Sequence, residues 1–599
     1  MSVVKKLQQA AIESLSALFA QSFTEKDFQV NQTKPEFEGD YTIVLFSLVK
    51  SLKLSPDAIG KQLGDHLIQN NPSLFTQYNI IKGFLNLTVS DTYWMEMVSS
   101  HYNDTSFGRT KSNGKKVMVE YSSPNTNKPI HLGHLRNNFL GWSVAEIFKA
   151  NGYDVVKTCI VNDRGIHICK SMIAWQLFAN GATPESTNTK GDHFVGEYYV
   201  KFNDEYKKQV EELKTQGVNK EEAEKEAPIM KATQQMLLDW EAGKPDVIAL
   251  WRTMNNWVYA GFDVTYKKIG SDFDKTYYES NTYLLGKKTV EEGLQKNVFV
   301  QEDDNSVWID LTADGLDKKI VQRKDGTSVY MTQDIGLAMQ KYEEYKMDKS
   351  IYVIGDEQNY HMKVLKLIAE KLQLPNAQNI YHLSYGMVEL PSGKMKSREG
   401  TVVDADEIVD EMETVAKEKT EELGKVKDFT AIELLDLYHT IGLGALKFFL
   451  LRVDPKKRMI FNPEESIDFH GFTGPFIQFN HARIKSILRK AAEGKAESSM
   501  VNGASLVGSG FLPLEKELIV TLEQYPTIIQ QAADEMNPSA IAIYVYQVAK
   551  TFSSFYTEHS IANAETAQKK QLRLQLAEMT ANVIKSGMNL LGIAVPERM

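Results

Sequence analysis

The chain has 599 residues, 42% hydrophobic and 24% charged, with a formal net charge of −10, which gives room for several domains with large cores in an ordinary globular composition. The negative balance excludes a general affinity for nucleic acid, so any RNA must be met by local basic patches. Two cysteines, Cys159 and Cys169, exclude a disulfide framework and a cysteine-rich zinc site, and no apolar run approaches the roughly 18 residues of a membrane span.

No signal-peptide core opens the chain, and with reduced cysteines the expected setting is cytoplasmic. Residues 4–19 are apolar at helical spacing, and residues 80–89 form a run of strand type with Gly83 inside it. Residues 1–112 are expected to form an N-terminal α+β domain. Val117-Met118-Val119-Glu120-Tyr121 predicts a short strand. Beyond a turn, Leu135, Phe139 and Trp142 open a helical repeat that Asn151-Gly152 stops, and residues 155–161 predict a second strand. A β-loop-α-β unit of this kind binds ligands at the carboxyl end of its first strand.

The turn itself reads Pro124-Asn125-Thr126-Asn127-Lys128-Pro129-Ile130-His131-Leu132-Gly133-His134. A helix N-terminus presents unpaired N–H groups and a partial positive charge, which suits a polyphosphate. His131 and His134 lie three apart in the first turn, on roughly one face, as donors to phosphate oxygens. Gly133 removes a side chain where a flat base would approach the backbone.

A long polar insertion follows over residues 181–263, and its charged run at 205–225 predicts exposed helix with no assigned chemistry. Asp334 opens a helical stretch over 334–345, four residues after Tyr330, either as a functional acid or as a helix N-cap. Residues 380–388 predict another strand, leading into Gly393-Lys394-Met395-Lys396-Ser397-Arg398. A loop with three cations between Gly393 and Gly400 is suited to neutralising a leaving pyrophosphate. From residue 467 the chain is expected to be a helical bundle with a Gly/Ser linker at 494–510. Residues 467–599 hold 12 Lys+Arg against 12 Asp+Glu, a net charge of zero. Arg483, Lys485, Arg489 and Lys490 form one basic helix there, open to RNA contact or to plain solvation. Phe552, Phe555 and Tyr556 are spaced either for base stacking or for a core.

His131-Leu132-Gly133-His134 resembles the HIGH motif of class I aminoacyl-tRNA synthetases, and the 393–398 segment resembles a variant of their KMSKS loop. Glu120-Tyr121-Ser122-Ser123-Pro124-Asn125, Tyr330-Met331-Thr332-Gln333-Asp334 and the Gly474–Arg483 segment resemble arginyl-tRNA synthetases in particular. So do Asn537-Pro538-Ser539-Ala540 and Leu590-Leu591-Gly592-Ile593, so the resemblance runs from near the first residue to the last.

What the resemblance implies is a multidomain α/β protein with a Rossmann-type parallel-sheet catalytic domain over 113–466. An N-terminal additional tRNA-binding domain would occupy 1–112, and an all-α anticodon-binding bundle 467–599. The implied activity is ATP-dependent activation of L-arginine and its transfer to tRNA(Arg), by a monomer using ATP with Mg²⁺ and no zinc. Ser397 stands where the second lysine of the KMSKS loop would be, and either Lys128 or Lys396 would replace it. Lys128, His131, Gly133, His134, Lys394 and Lys396 would be catalytic. Pro124, Asn125, Met387 and Met395 would join the histidines and Lys394 around ATP. By similarity Glu120 and Asp334 hold the guanidinium or the α-amino group beside Tyr330, with Asn125 and Gln358 completing the pocket; two carboxylates match a planar cation in fork geometry. Arg483, Lys485, Arg489, Phe555 and Tyr556 would meet the tRNA. Against this stand a class I enzyme for another amino acid, a small nucleotidyltransferase and an inactive RNA-binding relative. Two carboxylates, the long helical C-terminal part and the intact phosphate motifs argue against each in turn.

Overall fold

A computed structural model describes residues 2–34, 36–389, 391, 403–422, 424, 428–493 and 510–599. Lys394, Met395 and Lys396, with the rest of the loop over 392–402, lie outside the described residues, as does the linker over 494–509.

The N-terminal part pairs the helix Val3–Phe19 with a four-stranded antiparallel sheet in the order Gln29–Gln32, Tyr41–Val44, Phe84–Val89, Phe75–Ile81. The expected single strand over 80–89 is two strands joined by a hairpin. Lys82 and Gly83 both take left-handed backbone, φ 49° and 80°, the combination whose twist matches paired antiparallel strands. A Cβ at Gly83 would stand 2.5 Å from the Phe46 ring.

The central sheet has five parallel strands in the order Ile380–Tyr385, Lys349–Gly355, Lys116–Glu120, Asp154–Val161, Lys275–Tyr278. Lys116–Glu120 is buried from its second residue on, as a strand covered on both faces must be. The chain runs outward from it on one side, then returns to build the other side. The carboxyl ends of Lys116–Glu120 and Lys349–Gly355 therefore flank the switch point where open α/β sheets bind ligands. The expected strand over 380–388 serves two sheets: it stops at Tyr385, and Val388–Glu389 pairs instead with Met459–Ile460. Gly386 makes the step, because a Cβ there would lie 2.6 Å from the backbone of Arg458.

Between Asp154–Val161 and Lys275–Tyr278 the insertion is helical, led by Gly191–Thr215 and Pro245–Ile269. Its charged run is two helices, separated at Gly217 with φ 89°. A small antiparallel sheet over Val300–Gln301, Val307–Ile309 and Lys319–Gln322, with its own core, had no counterpart in the sequence reading. The helices Gly474–Glu493, Pro513–Glu523, Tyr525–Glu535, Ser539–Glu558 and Ala567–Leu590 form the C-terminal bundle.

One described helix, Ala431–Leu451, is long and apolar enough to cross a membrane, against the sequence expectation. Of its apolar window 67% is buried inside the protein, against the helices Leu132–Ala150, Ala405–Glu422 and Gly474–Glu493. It is a core helix between the sheet and the bundle.

Candidate active site

The Lys116–Glu120 strand ends in two consecutive left-handed residues, Ser122 and Ser123, φ 77° and 47°. Such backbone costs of order 1–3 kcal/mol per residue and persists only when neighbours fix it. Here Ser122 N–H donates to Asn137 Oδ1 at 2.6 Å, and Asn138 Nδ2 donates to Ser122 Oγ at 3.2 Å. Asn137 Nδ2 also donates to the Val353 carbonyl at 2.7 Å, so two buried asparagines of the Leu132–Ala150 helix tie the turn to the neighbouring strand.

That helix opens with both histidines in its cap. His131 Nδ1 accepts the Gly133 N–H at 3.2 Å, and His134 Nδ1 accepts the His131 N–H at 3.2 Å. A backbone N–H can only donate, so each ring carries its proton on Nε2 and keeps that donor free for a ligand. The ring centroids are 3.9 Å apart. Burial, joined by the nearby Lys128 charge, pushes His131 down to about 3. His134 is pushed well below the histidine range by burial and then by His131. Both are therefore neutral hydrogen-bond donors near pH 7. Half-buried Lys128 is likewise lowered by burial. A Cβ on Gly133 would stand 3.1 Å from His131 Cε1, so the space expected for a base is where the His131 ring folds back.

At the switch point lies a cavity of about 330 Å³ lined by Glu120, His134, Asn137, Asp334, Lys341 and Gln358, among others. Glu120, His134, Asp334 and Gln358 were expected there. Asp334 is the fifth residue of the helix Tyr330–Tyr345, behind the N-cap residue Val329, which disposes of the capping alternative. Its Oδ2 lies 2.7 Å from His361 Nε2. Two expected residues are not in this lining. Tyr330, one turn before Asp334, is 68% exposed. Asn125 is exposed and bridges to Asn162, whose N–H donates to the carbonyl of buried Pro124 at 2.9 Å. Met387 is half-buried with its sulfur against Gly355.

Sequence reasoning missed Lys341, whose buried ammonium donates to Glu120 Oε2. Its spacing was the available signal: seven residues after Asp334, two helical turns along the same face. Glu279, at the carboxyl end of the Lys275–Tyr278 strand, is pushed up to about 7 by burial.

A second cavity, about 320 Å³, lies beside Lys128, His131, His193, Asp404 and Glu407. Val403 and Ala405 are stitched to the turn, Leu132 N–H donating to the Val403 carbonyl and Ala405 N–H to that of Ile130. His193, from the insertion, sits 3.0 Å from Asp404, and its hydrogen bond to that carboxylate raises its pKa. His193, Asp404 and Asp406 offer three donors within 4.8 Å of one another. The Lys190 ammonium already fills the cation's place, 2.5 Å from Asp406 Oδ2.

In the bundle, Phe552 and Phe555 are 0% exposed. They are core residues, and their expected stacking on RNA bases is corrected: the helical spacing that suggested a platform is the spacing that fills the bundle interior. Tyr556 is half-buried and stacks on Phe552 at 6.0 Å. Lys485 pairs with Glu597 at 3.2 Å, Arg489 donates to the Glu597 carbonyl at 3.0 Å, and Arg483 lies over the Phe479 ring at 5.3 Å.

Known proteins are similar to this chain along its length. The family described as tRNA synthetases class I (R), catalytic domain, matches residues 97–462. The arginyl tRNA synthetase N terminal domain matches 4–89, and the DALR anticodon binding domain 477–599. The arginine–tRNA ligase of Bacteroides thetaiotaomicron is 51% identical, and that of Porphyromonas gingivalis 47%, each over 100% of both chains. The arginyl-tRNA synthetase of Thermus thermophilus shares the fold, with a TM-score of 0.82 at 23% identity, covering 99% of this chain and 100% of that one. The resemblance first visible in the HLGH turn thus holds along the whole sequence, and the chain belongs to the arginyl-tRNA synthetases of class I.

Proposed function

We propose that this arginine–tRNA ligase activates arginine in the cavity between Glu120 and Asp334, with ATP laid over the N-terminus of the Leu132–Ala150 helix. The observation that carries the reading is the polarity of that cavity. The neutral imidazole of His134 stands at its helix-cap end, with the His131 ring 3.9 Å behind it, and carboxylates stand at the other, across a sheet switch point. An α-carboxylate oxygen of arginine attacks the α-phosphorus of ATP in line. The new carboxyl–phosphorus bond forms as the bond to the β-phosphate oxygen breaks, and pyrophosphate leaves. Such a step needs positioning and charge stabilisation more than covalent help. His131 and His134 donate Nε2–H to the phosphates, Lys128 adds charge beside them, and ATP arrives as its Mg²⁺ complex. Pro124, Asn125, Gly133 and Met387 border the nucleotide. Lys394, Met395 and Lys396 take their ATP-side roles from the loop motif alone.

Asp334 faces the guanidinium, and Glu120 serves the guanidinium or the α-amino group. Tyr330, Asn125 and Gln358 act from the rim. The terminal adenosine's ribose hydroxyl then attacks the arginyl carbonyl and AMP leaves. Residues 1–112 and 467–599 hold tRNA(Arg), the latter through Arg483, Lys485, Arg489 and Tyr556. The enzyme works as a cytoplasmic monomer without zinc. The test is arginine-dependent exchange of labelled pyrophosphate into ATP, with and without tRNA. Exchange with arginine alone among amino acids is expected, and exchange driven by another amino acid would overturn the reading.

A further inference from the structure

The cavity contains a cation of its own. Lys341 is 1% exposed, its ammonium bonded to Glu120 Oε2 and set over two rings, 5.0 Å from the centroid of Tyr352 and 5.5 Å from that of Tyr277. It shares a helix with Asp334, while Glu120 comes from the central strand. A buried lysine is usually expensive and would be replaced by an apolar residue unless its charge were used.

We propose that Lys341 is a positioning residue of the amino-acid site: it pins one oxygen of Glu120, keeps that carboxylate aimed, and leaves the other oxygen for the cationic substrate. The inference rests on the reading of this cavity as the arginine site. The charges favour it. Glu120 and Asp334 bring two negative charges and Lys341 one positive, leaving one negative charge to meet one guanidinium. Without Lys341, Glu120 at 7% exposure would be a buried carboxylate with no bonded cation to fix its orientation. Burial works most strongly on the Lys341 ammonium, but the charge and hydrogen bond of Glu120, with Tyr352 and Asp334 nearby, together hold Lys341 above the ordinary lysine range. The two rings fix where the ammonium sits. One helix thus carries both the acid that faces the substrate and the cation that orders the second acid.

The experiment is a double-mutant cycle on steady-state pyrophosphate exchange, with KM for arginine and for ATP read separately. Lys341→Met is expected to raise the arginine KM about tenfold or more, the scale of a lost charge-assisted bond. The ATP KM should stay within about twofold. Glu120→Gln/Lys341→Met is expected to match Glu120→Gln alone, because Lys341 acts only through Glu120. Losses that multiply in the double variant overturn the proposal, as does a Lys341→Met enzyme with an unchanged arginine KM. If Lys341→Met does not fold, the double variant, which leaves no unpaired charge, is still compared with Glu120→Gln. Equal arginine KM values then support the proposal and a further tenfold loss overturns it. Asp334→Asn separates the two levels. If it leaves the arginine KM unchanged, the site itself is misread. If it raises that KM while Lys341→Met does not, only the role of Lys341 fails.

Discussion

The helix cap and the carboxylate cluster treat charge in opposite ways. At the helix cap, His131, His134 and Lys128 are all pushed toward their neutral forms, burial being the first cause for each. At the other end, Lys341 stays charged against complete burial because Glu120 is bonded to it. Burial alone does not decide whether a group keeps its charge; the partner does. Backbone N–H groups occupy the histidine acceptors and ask for no charge, whereas a carboxylate does. The difference suits the ligands proposed for each. A polyphosphate arriving with its own Mg²⁺ needs oriented donors, while a guanidinium needs a fixed negative charge.

The hardest blow to the helix-cap end is His134→Ala. It removes an Nε2–H donor and the acceptor that caps His131 N–H. Loss of one oriented transition-state donor costs about 10²–10³ in kcat, with the arginine KM expected to stay within about threefold. A loss that falls on arginine binding would mean that the two ends are not separate. Because His131 protonates only near 3, no histidine limb from the cap should appear between about pH 6 and 8.

At the carboxylate end, Asp334→Asn keeps the shape and removes the charge. We expect kcat/KM for arginine to fall about a hundredfold, on the scale of charge-assisted hydrogen bonds, and the ATP KM to hold. Next comes Lys128→Met, with a loss of about tenfold in kcat. Lys128 has a lowered pKa, so its charge is present at low pH and lost as pH rises through a value below the ordinary 10.5. Wild-type activity should therefore fall off on an alkaline limb that Lys128→Met lacks; if the limb survives in the variant, Lys128 does not carry it.

How much of this was legible follows from which signals are local. The strand before Glu120, the cap histidines and the helix to Ala150 came through because periodicity, caps and breakers act within one or two turns of chain. The hairpin at Gly83 was lost for want of weight on one glycine in an apolar run, and the break at Gly386 because its reason, the Arg458 backbone, is 72 residues away. Phe555 shows the limit of composition: a base-stacking face and a packed face use the same aromatic spacing, and only the partner helices distinguish them. Glu120 was legible as a site acid but its partner was not, because nothing near it in sequence announces a lysine 221 residues on.

The mildest test sits on that same carboxylate end. His361 Nε2 is 2.7 Å from Asp334 Oδ2, but here the side chains are 30% and 41% exposed, unlike the dry Glu120–Lys341 pair. Water can replace what the imidazole gives, and exposed pairs of this kind are worth about 0.2–1 kcal/mol. His361→Asn should therefore raise the arginine KM only about twofold to fivefold, leaving kcat and the ATP KM unchanged. Lys341→Met, acting on a carboxylate that water cannot serve, should cost several times more. If the two substitutions cost the same, solvent access does not set the strength of these contacts, and the distinction between the wet and the dry carboxylate collapses.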